Sequence, residues 1–145
     1  MPKSSNKANV TLADYRALAE FRYQLHLYLS LSDQAARSAG LLPGQYRLLL
    51  IAKGLPEGLE PTIGNLAERL GLRHHSTVEL VDRLEQRGLI HRERSDRHRS
   101  FVFVRITPKG EALLRKLVVS RKRELQKAGP ILVKALNTLT KKKKT

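Results

Sequence analysis

Residues 61–110 decide the fold of this chain, and they read PTIGNLAERLGLRHHSTVELVDRLEQRGLIHRERSDRHRSFVFVRITPKG. Thr62 can cap a first helix, and Gly71 follows its last apolar residue as a left-handed C-cap would. The apolar stripe of that helix is Ile63, Leu66, Ala67 and Leu70. A second helix is predicted from about His74 to Arg87, closed by Gly88. Two short helices joined by a tight turn are typical of a helix-turn-helix.

The second helix is predicted to be amphipathic, with a polar face that reads the major groove of DNA. Its apolar positions are Thr77, Leu80, Val81 and Leu84. A helix in the groove presents its N-terminal residues to base edges and its first N–H groups to phosphate. The candidate DNA contacts are Arg73, His74, His75, Ser76, Glu79 and Arg83. The alternative is an ordinary solvated face, and Glu79 could either accept from cytosine N4 or hold a neighbouring arginine.

Two acidic residues on this helix, Asp82 and Glu85, are not expected to touch DNA. Carboxylates are repelled by phosphate, so we expect them to pair with nearby arginines of the same chain.

Two strands are predicted after the helices, over Leu89–Glu93 and Phe101–Ile106. The turn between them is polar and carries three arginines and a histidine. A basic hairpin after a helix-turn-helix indicates a winged helix, whose wing contacts phosphates or the minor groove. The candidate wing contacts are Arg94, Arg97, His98 and Arg99. The alternative is a charged tip that only opposes aggregation. Thr107-Pro108 then predicts a helix start, with threonine as N-cap and proline at the first helical position.

The helices that flank this stretch carry more apolar surface than a short monomer needs. A helix predicted from Thr11 to about Ala39 has apolar residues on two sides, which implies two buried faces. One side holds Tyr15, Leu18, Phe21, Leu25, Tyr28 and Leu29, and the other holds Tyr23, Leu27 and Leu31. Contact with a second copy of the chain is the simplest way to bury the second apolar side of this helix.

Three more helices complete the chain. One is predicted over Leu42–Lys53, with Tyr46, Leu49 and Leu50 directed inward. Another runs from Pro108 to about Ala128, where Gly129-Pro130 is expected to interrupt it, and the last spans Ile131 to about Leu139. The apolar side of these terminal helices again indicates subunit contact.

Residues 80–90 (LVDRLEQRGLI), the basic wing and the segment VFVRITPKG at 102–110 together resemble the MarR family of bacterial transcriptional regulators. The resemblance covers nearly the whole chain. It implies a mainly α fold with a small β-hairpin wing, in which the N- and C-terminal helices form a homodimer. It also implies binding to double-stranded DNA at a pseudo-palindromic operator with half-sites about one helical turn apart. Repression released by a small ligand is the usual mode of regulation in this family.

The wing departs from the family pattern. Where relatives have Asp-Arg-Arg, this chain has His98, Arg99 and Ser100, and an Asp96-Arg97 pair stands two residues earlier. Arg99 is still expected to reach DNA, although the carboxylate that normally orients such an arginine is displaced.

The resemblance also implies a pocket for a small aromatic or anionic effector. By position it could be lined by Arg22, Tyr23, His26, Gln45 and Tyr46. Arg22 and His26 lie one helical turn apart and could share a carboxylate. The alternative for Tyr23 and Tyr46 is core packing with the hydroxyl at the edge.

Composition excludes several other classes of protein. The chain has 145 residues and no cysteine, so disulfides, thiolate metal sites and thiol redox sensing are excluded. Four histidines without an acidic cluster beside them do not predict a metal site, and no cofactor is expected. Motifs of hydrolases, P-loop enzymes and zinc proteases are missing, so the protein is not expected to be an enzyme. With no membrane span or signal core, it should be soluble and cytoplasmic.

The charge of the chain lies mostly outside the predicted reading head. The net charge is +15, and residues 100–145 hold 13 basic and 2 acidic residues. Such an excess suggests a polyanion partner. An alternative function is therefore a non-specific architectural DNA-binding protein driven by the C-terminal region, and a third is a metal- or ligand-sensing switch.

The predicted organisation is one domain with short flexible ends. Residues 1–10 form a polar N-terminus and residues 11–140 a single domain, with the winged head at about 42–107. The dimerisation helices lie at about 11–39 and 108–140. Residues 141–145 form a basic tail, in which Lys141–Lys144 serve either DNA affinity or solubility.

Overall fold

A computed structural model describes residues 9–94, 96 and 101–141. Its elements are α1 (Leu12–Ser38), α2 (Pro43–Lys53), α3 (Ile63–Leu70), α4 (His74–Gln86), β1 (Ile90–Arg94), β2 (Val102–Ile106) and α5 (Pro108–Thr140). The predicted fold class, mainly α with a small β-hairpin wing, is confirmed. The chain divides into two compact units. We call residues 32–120 the head unit, and residues 1–31 with 121–145 the terminal unit; α1 and α5 contribute to both.

The head unit has a single apolar core, and each of its helices and strands packs one of its faces against this core. The fully buried side chains are Leu41, Leu48, Leu49, Leu66, Thr77, Val81, Leu84, Leu89, Ile90 and Val104. Burial of a large aliphatic side chain stabilises the fold by about 1.5–3 kcal/mol. The predicted inner side of α4 is therefore confirmed. In α2 the prediction for Leu50 is wrong: this leucine is 39% exposed, because the buried arc is centred on Gln45 and Leu49 and leaves Leu50 beyond its edge.

The ends of α3 follow the predicted local rules. The Thr62 hydroxyl accepts a hydrogen bond from the Asn65 backbone N–H at 3.2 Å. The Asn65 side chain donates to the Glu60 carbonyl at 2.8 Å, which ties the helix start to the preceding loop. Gly71 ends the helix in the left-handed conformation, with φ of 68°, where a side chain would be strained.

The wing strands begin one residue later than predicted. β1 and β2 are antiparallel, with Ile90 opposite Ile106 and Arg94 opposite Val102. Leu89 is buried but outside β1, because its N–H closes the end of α4 on the Leu84 carbonyl at 3.0 Å. On its other edge β2 meets the segment before α3, where Thr62 pairs with Phe103 in a single bridge.

The last helix is continuous, so the predicted interruption at Gly129-Pro130 is wrong. α5 runs from Pro108 to Thr140 with Pro130 inside it. Proline removes one donor from the helical ladder, but this costs least where the helix is exposed, and Pro130 is exposed. Glycine before proline also avoids the clash of a Cβ atom with the proline ring, which is what disfavours helix at that position.

The terminal unit pairs residues 12–31 of α1 with residues 121–140 of α5 and buries few of its side chains. Ala17, Arg121 and Ala135 are its buried residues within the described part of the chain. Of the first apolar side predicted on α1, Phe21 and Tyr28 are half-buried. The other tyrosines and leucines predicted on the two sides of α1 are exposed in the single chain, and Tyr15 and Leu18 are 65% and 51% exposed. None of the described helices is long and apolar enough to cross a membrane.

Candidate nucleic-acid interface

The exposed side of α4 carries the predicted DNA-reading residues. Thr77, Val81 and Leu84 fix the opposite side of the helix in the head core. The helix therefore turns one polar face to solvent. On that face His75, Glu79 and Arg83 are exposed and Ser76 is half-buried, while Arg73 and His74 are exposed at the start of the helix. The structure brings these six candidates together in three successive turns of one helix.

The start of α4 differs from the start of α3 in having no side-chain cap. Arg73 occupies the N-cap position in an extended conformation, and no side chain accepts a hydrogen bond from the first turn. The first N–H groups of a helix lack partners within the helix and form the positive end of its dipole. The start of α4 is thus suited to an anion, and a phosphate oxygen fits this need.

Two of the three carboxylates of α4, those of Asp82 and Glu85, are held by Arg92, which projects from β1. The Arg92 guanidinium donates to Asp82 Oδ1 at 2.5 Å and to Glu85 Oε1 at 2.6 Å. The Arg92 backbone N–H donates to Glu85 Oε2 at 2.9 Å. The predicted pairing of Asp82 and Glu85 with an arginine is confirmed. We call this cluster the Arg92 clamp.

Arg92 itself is not among the residues predicted from the sequence. It lies ten residues after Asp82 and in a different element, so neither the repeat of a helix nor that of a strand predicts a contact between the two. The contact arises only because β1 folds back beside α4 after the turn at Gly88.

The Arg92 clamp is a permanent ion cluster. Burial acts to lower the pKa of Arg92, but its hydrogen bonds and charge interactions with Asp82 and Glu85 outweigh that effect and raise the pKa above its ordinary value. The guanidinium therefore stays charged throughout the physiological range. The clamp neutralises part of the negative charge that α4 would otherwise turn toward a phosphate backbone, and it joins α4 to the wing.

The described part of the wing carries one exposed candidate contact. Arg94 ends β1 and is exposed. Within the hairpin, Arg105 donates to Glu93 at 3.2 Å and lies 5.2 Å from the centre of the Phe103 ring. The other wing candidates, Arg97, His98 and Arg99, lie outside the described residues, and so does Ser100. Asp96 is exposed.

The C-terminal end of α4 is fixed by three side chains. Arg87 donates to the Gly40 carbonyl at 2.8 Å, and Lys109 donates to the Arg87 carbonyl at 3.1 Å. The Thr107 hydroxyl donates to the Gly88 carbonyl at 2.6 Å. These bonds tie the end of the reading helix to the turn before α2 and to the start of α5, so its position is set from both sides of the head core.

The residues predicted to line an effector pocket fall into two different units. Arg22, Tyr23 and His26 are exposed on α1 within the terminal unit. Gln45 and Tyr46 are 5% exposed in the head unit. The Gln45 side chain accepts from the Leu42 N–H at 3.1 Å and from Arg87 at 3.3 Å, so it caps α2. Across the described residues, no three His, Asp or Glu side chains converge on a point where a metal ion could sit.

Comparisons with known proteins agree with this architecture. The family model described as MarR family matches residues 39–99, which span α2, the helix-turn-helix and much of the wing. No curated protein matches the chain. The fold is similar to that of AbsC, a MarR family transcriptional regulator from Streptomyces coelicolor, with 18% sequence identity and a TM-score of 0.69 over 93% of this chain and 94% of that one.

Two further solved structures have the same fold. A MarR family protein from Bacillus stearothermophilus is 29% identical, with a TM-score of 0.59 over 78% of this chain and 79% of that one. CouR from Rhodococcus jostii, solved with bound p-coumaroyl-CoA, is 21% identical, with a TM-score of 0.60 over 83% of this chain and 88% of that one. The chain therefore has the winged helix-turn-helix fold of these proteins, and its residues 39–99 match the MarR family of transcriptional regulators.

Proposed function

We propose that this protein binds double-stranded DNA as a homodimer and represses transcription from a pseudo-palindromic operator. In this proposal each subunit inserts α4 into the major groove and places its wing on the flanking backbone. The two half-sites then lie about one helical turn apart, as the two-fold symmetry of a dimer requires. Occupation of the operator would exclude the transcription machinery. The protein would act in the cytoplasm, where bacterial DNA lies.

One observation carries the proposal: the exposed face of α4 keeps its basic and hydrogen-bonding residues available while two of its three carboxylates are paired with an arginine. Asp82 and Glu85 are both held by Arg92, whereas Arg73 and Arg83 are exposed and make no ion pair within the described chain. The uncapped start of α4 adds a site for phosphate. A face selected only for solubility would not need its acidic side chains sequestered in this way.

The homodimer is supported by the exposed apolar surface of the terminal unit. On α1, Leu12, Tyr15, Leu18 and Tyr23 are each more than half exposed, and Val133 of α5 is 56% exposed. Contiguous apolar patches of this kind on a soluble protein usually mark an interaction surface. A second copy of the chain can cover them isologously, and the operator symmetry then follows from the subunit symmetry.

We expect Leu18→Glu to convert the dimer to a monomer, because it places a charge inside the proposed subunit interface. The side chain is exposed in the single chain, so the substitution should leave the fold of the monomer unchanged. Sedimentation velocity measures the change in mass, and circular dichroism checks the fold. Leu72→Glu is the matched control, since Leu72 is also exposed, at 41%, but lies in the head unit. A Leu18→Glu protein that remains dimeric would contradict this interface.

Selection of bound duplexes from a random DNA library tests the proposed function directly. We expect enrichment of a palindrome with half-sites about ten base pairs apart. In the enriched duplex, His75→Ala or Arg83→Ala should weaken binding by about 1–3 kcal/mol, with relaxed sequence preference at one position of each half-site. Binding without any enriched sequence would instead favour the non-specific architectural alternative.

The effector part of the proposal rests on the exposed polar group on α1. Arg22 and His26 lie one helical turn apart, and with Tyr23 they offer a cation, an imidazole and a phenol to one ligand. A carboxylate attached to an aromatic ring matches that set. Because CouR was solved with p-coumaroyl-CoA, p-coumarate and its CoA thioester are the first probes to test. We expect such a ligand to release the operator duplex and Arg22→Gln to reduce that release.

A further inference from the structure

We propose that the C-terminal half of α5 forms a second DNA-binding surface, separate from the winged head, that holds duplex DNA without regard to sequence. The surface consists of Arg123, Lys127, Lys134 and Lys141, and we call it the α5 basic row. All four residues belong to the terminal unit. The choice of DNA as the polyanion rests on the proposed function of the head.

The four cations fall on one line along the helix. Successive residues of an α-helix are turned by about 100° and rise by 1.5 Å. Spacings of four and seven residues therefore keep Arg123, Lys127 and Lys134 within about 40° of one another around the axis. Lys141 follows at the next interval of seven, directly after the helix ends at Thr140. The row extends over roughly 27 Å, long enough to follow several phosphates of one strand.

The row is exposed and has no carboxylate partner. All four side chains are exposed. The ion pairs of the described chain hold Lys53, Arg92 and Arg105, and none of them includes a member of the row. The acidic residue of this half of α5, Glu124, is half-buried and lines a groove with Tyr28 of α1 and with Lys127 of the row, but it forms no ion pair with Lys127 within the described chain. Like charges left side by side repel one another, and a polyanion relieves that repulsion while releasing its counterions.

The row does not coincide with the exposed leucines that a second subunit would cover. Leu125 and Leu136 are 39% and 41% exposed. Each stands two residues after a cation of the row, and hence about 200° around the helix from it. Dimer formation over Leu125 and Leu136 would therefore leave the row open to solvent, and Val133 of the proposed interface lies about 100° around the helix from Lys134.

A groove beside the row adds one more cation. It has a volume of about 560 Å³ and is lined on the α1 side by Arg16 and Glu20 and on the α5 side by Lys134 and Thr138. Glu20 accepts a hydrogen bond from Gln24 at 3.0 Å, which offsets part of its negative character. Arg16 and Lys134 therefore face the same groove, which the Glu20 carboxylate also lines.

The test is the salt dependence of binding to a fluorescent duplex of arbitrary sequence, measured by anisotropy over a series of KCl concentrations. Four proteins are compared. The row variant carries R123Q, K127Q, K134Q and K141Q, and the matched control carries R37Q, R47Q, R115Q and K122Q, which removes the same charge from other exposed positions. A head variant carries R73Q, R83Q and R94Q, and the wild-type protein is the reference.

We expect the slope of log K against log salt concentration to fall by about 3.6 in the row variant for each engaged subunit, since each phosphate contact contributes about 0.9. The control should keep most of the wild-type slope, and the head variant should lose a separate, additive part. If the slope falls in the row variant but not in the head variant, the α5 basic row binds DNA as proposed. The same result would contradict the proposed function of the head.

Two results would overturn the proposal. One is a row variant that keeps the wild-type slope, or a control that loses just as much, because net charge rather than the row would then govern binding. The other is row-dependent binding to phosphatidylglycerol vesicles with no row-dependent binding to the duplex, which would assign the surface to a membrane.

Discussion

Gly110→Ala is expected to lower the free energy of unfolding by about 3 kcal/mol, a large effect for the addition of one methyl group. A Cβ atom at position 110 would lie 2.1 Å from the Leu89 carbonyl oxygen and 3.0 Å from the Ile106 side chain. Neither separation is compatible with van der Waals contact, so the backbone on one side has to move.

The neighbouring groups leave little room for that movement. The Leu89 carbonyl already accepts a hydrogen bond from the Thr107 N–H at 3.1 Å, and the Leu89 side chain is 1% exposed. The Gly110 N–H in turn donates to the Thr107 hydroxyl at 3.1 Å. Moving α5 away would break these bonds and loosen the end of α4, which the same segment holds through Gly88. The loss in stability should therefore be accompanied by weaker DNA binding.

Gly64→Ala is the matched control for this prediction. Gly64 lies in the first turn of α3, and an added Cβ would meet no atom within 4 Å. Alanine there should be neutral or raise the stability by up to about 1 kcal/mol, because it favours the helix. Urea denaturation at equal protein concentrations measures both variants, since the stability of a dimer depends on concentration. If both substitutions change the free energy of unfolding equally, the close approach of the Leu89 carbonyl to Gly110 does not destabilise the alanine variant, and the prediction is wrong.

Features that depend on a few neighbouring residues could be predicted from the sequence. Thr62 and Gly71 mark the ends of α3 because capping is decided within one turn of helix. The buried side of α4 could be predicted from the spacing of its apolar residues, because Val81 and Leu84, three residues apart, lie on the same side of a helix. Residues 61–110 are dense in such local signals, which is why the winged helix could be predicted without a structure.

Features that depend on distant parts of the chain could not be predicted in the same way. The continuity of α5 through Pro130 depends on the exposure of that position, which local propensity does not report. The Arg92 clamp forms only because β1 folds back beside α4. The sequence therefore predicts that Asp82 and Glu85 pair with an arginine, but not that this arginine is Arg92. Leu50 belongs to an apolar period, yet it is 39% exposed because the buried arc of α2 is centred on Gln45 and Leu49.

Arg92→Met is expected to weaken DNA binding about tenfold, or roughly 1.4 kcal/mol, although Arg92 need not touch DNA. Methionine keeps an unbranched apolar side chain but removes the guanidinium that pairs with Asp82 and Glu85. Two carboxylates would then face the phosphate backbone without a counter-charge. The substitution also removes charge-assisted hydrogen bonds from a half-buried site, so the free energy of unfolding should fall by about 1–2 kcal/mol.

The salt dependence of that defect identifies its cause. Repulsion between the carboxylates and phosphate is screened as salt rises, so the difference from the wild-type protein should shrink. A lost phosphate contact would instead reduce the salt slope itself by about 0.9. Affinity for the selected operator, measured by anisotropy at several KCl concentrations, separates these two outcomes.

Adding Asp82→Asn and Glu85→Gln to Arg92→Met should restore DNA affinity to the wild-type level or above. Glu79→Gln in the Arg92→Met background is the matched control, because Glu79 is an exposed carboxylate of α4 outside the clamp. If the triple variant stays as weak as Arg92→Met, charge neutralisation is not the role of Arg92. Its bond from the backbone N–H to Glu85 and its place in β1 would then indicate that the clamp mainly fixes the wing beside α4. Rescue by the triple variant but not by the control would show that α4 keeps two acidic residues beside DNA only because Arg92 neutralises them.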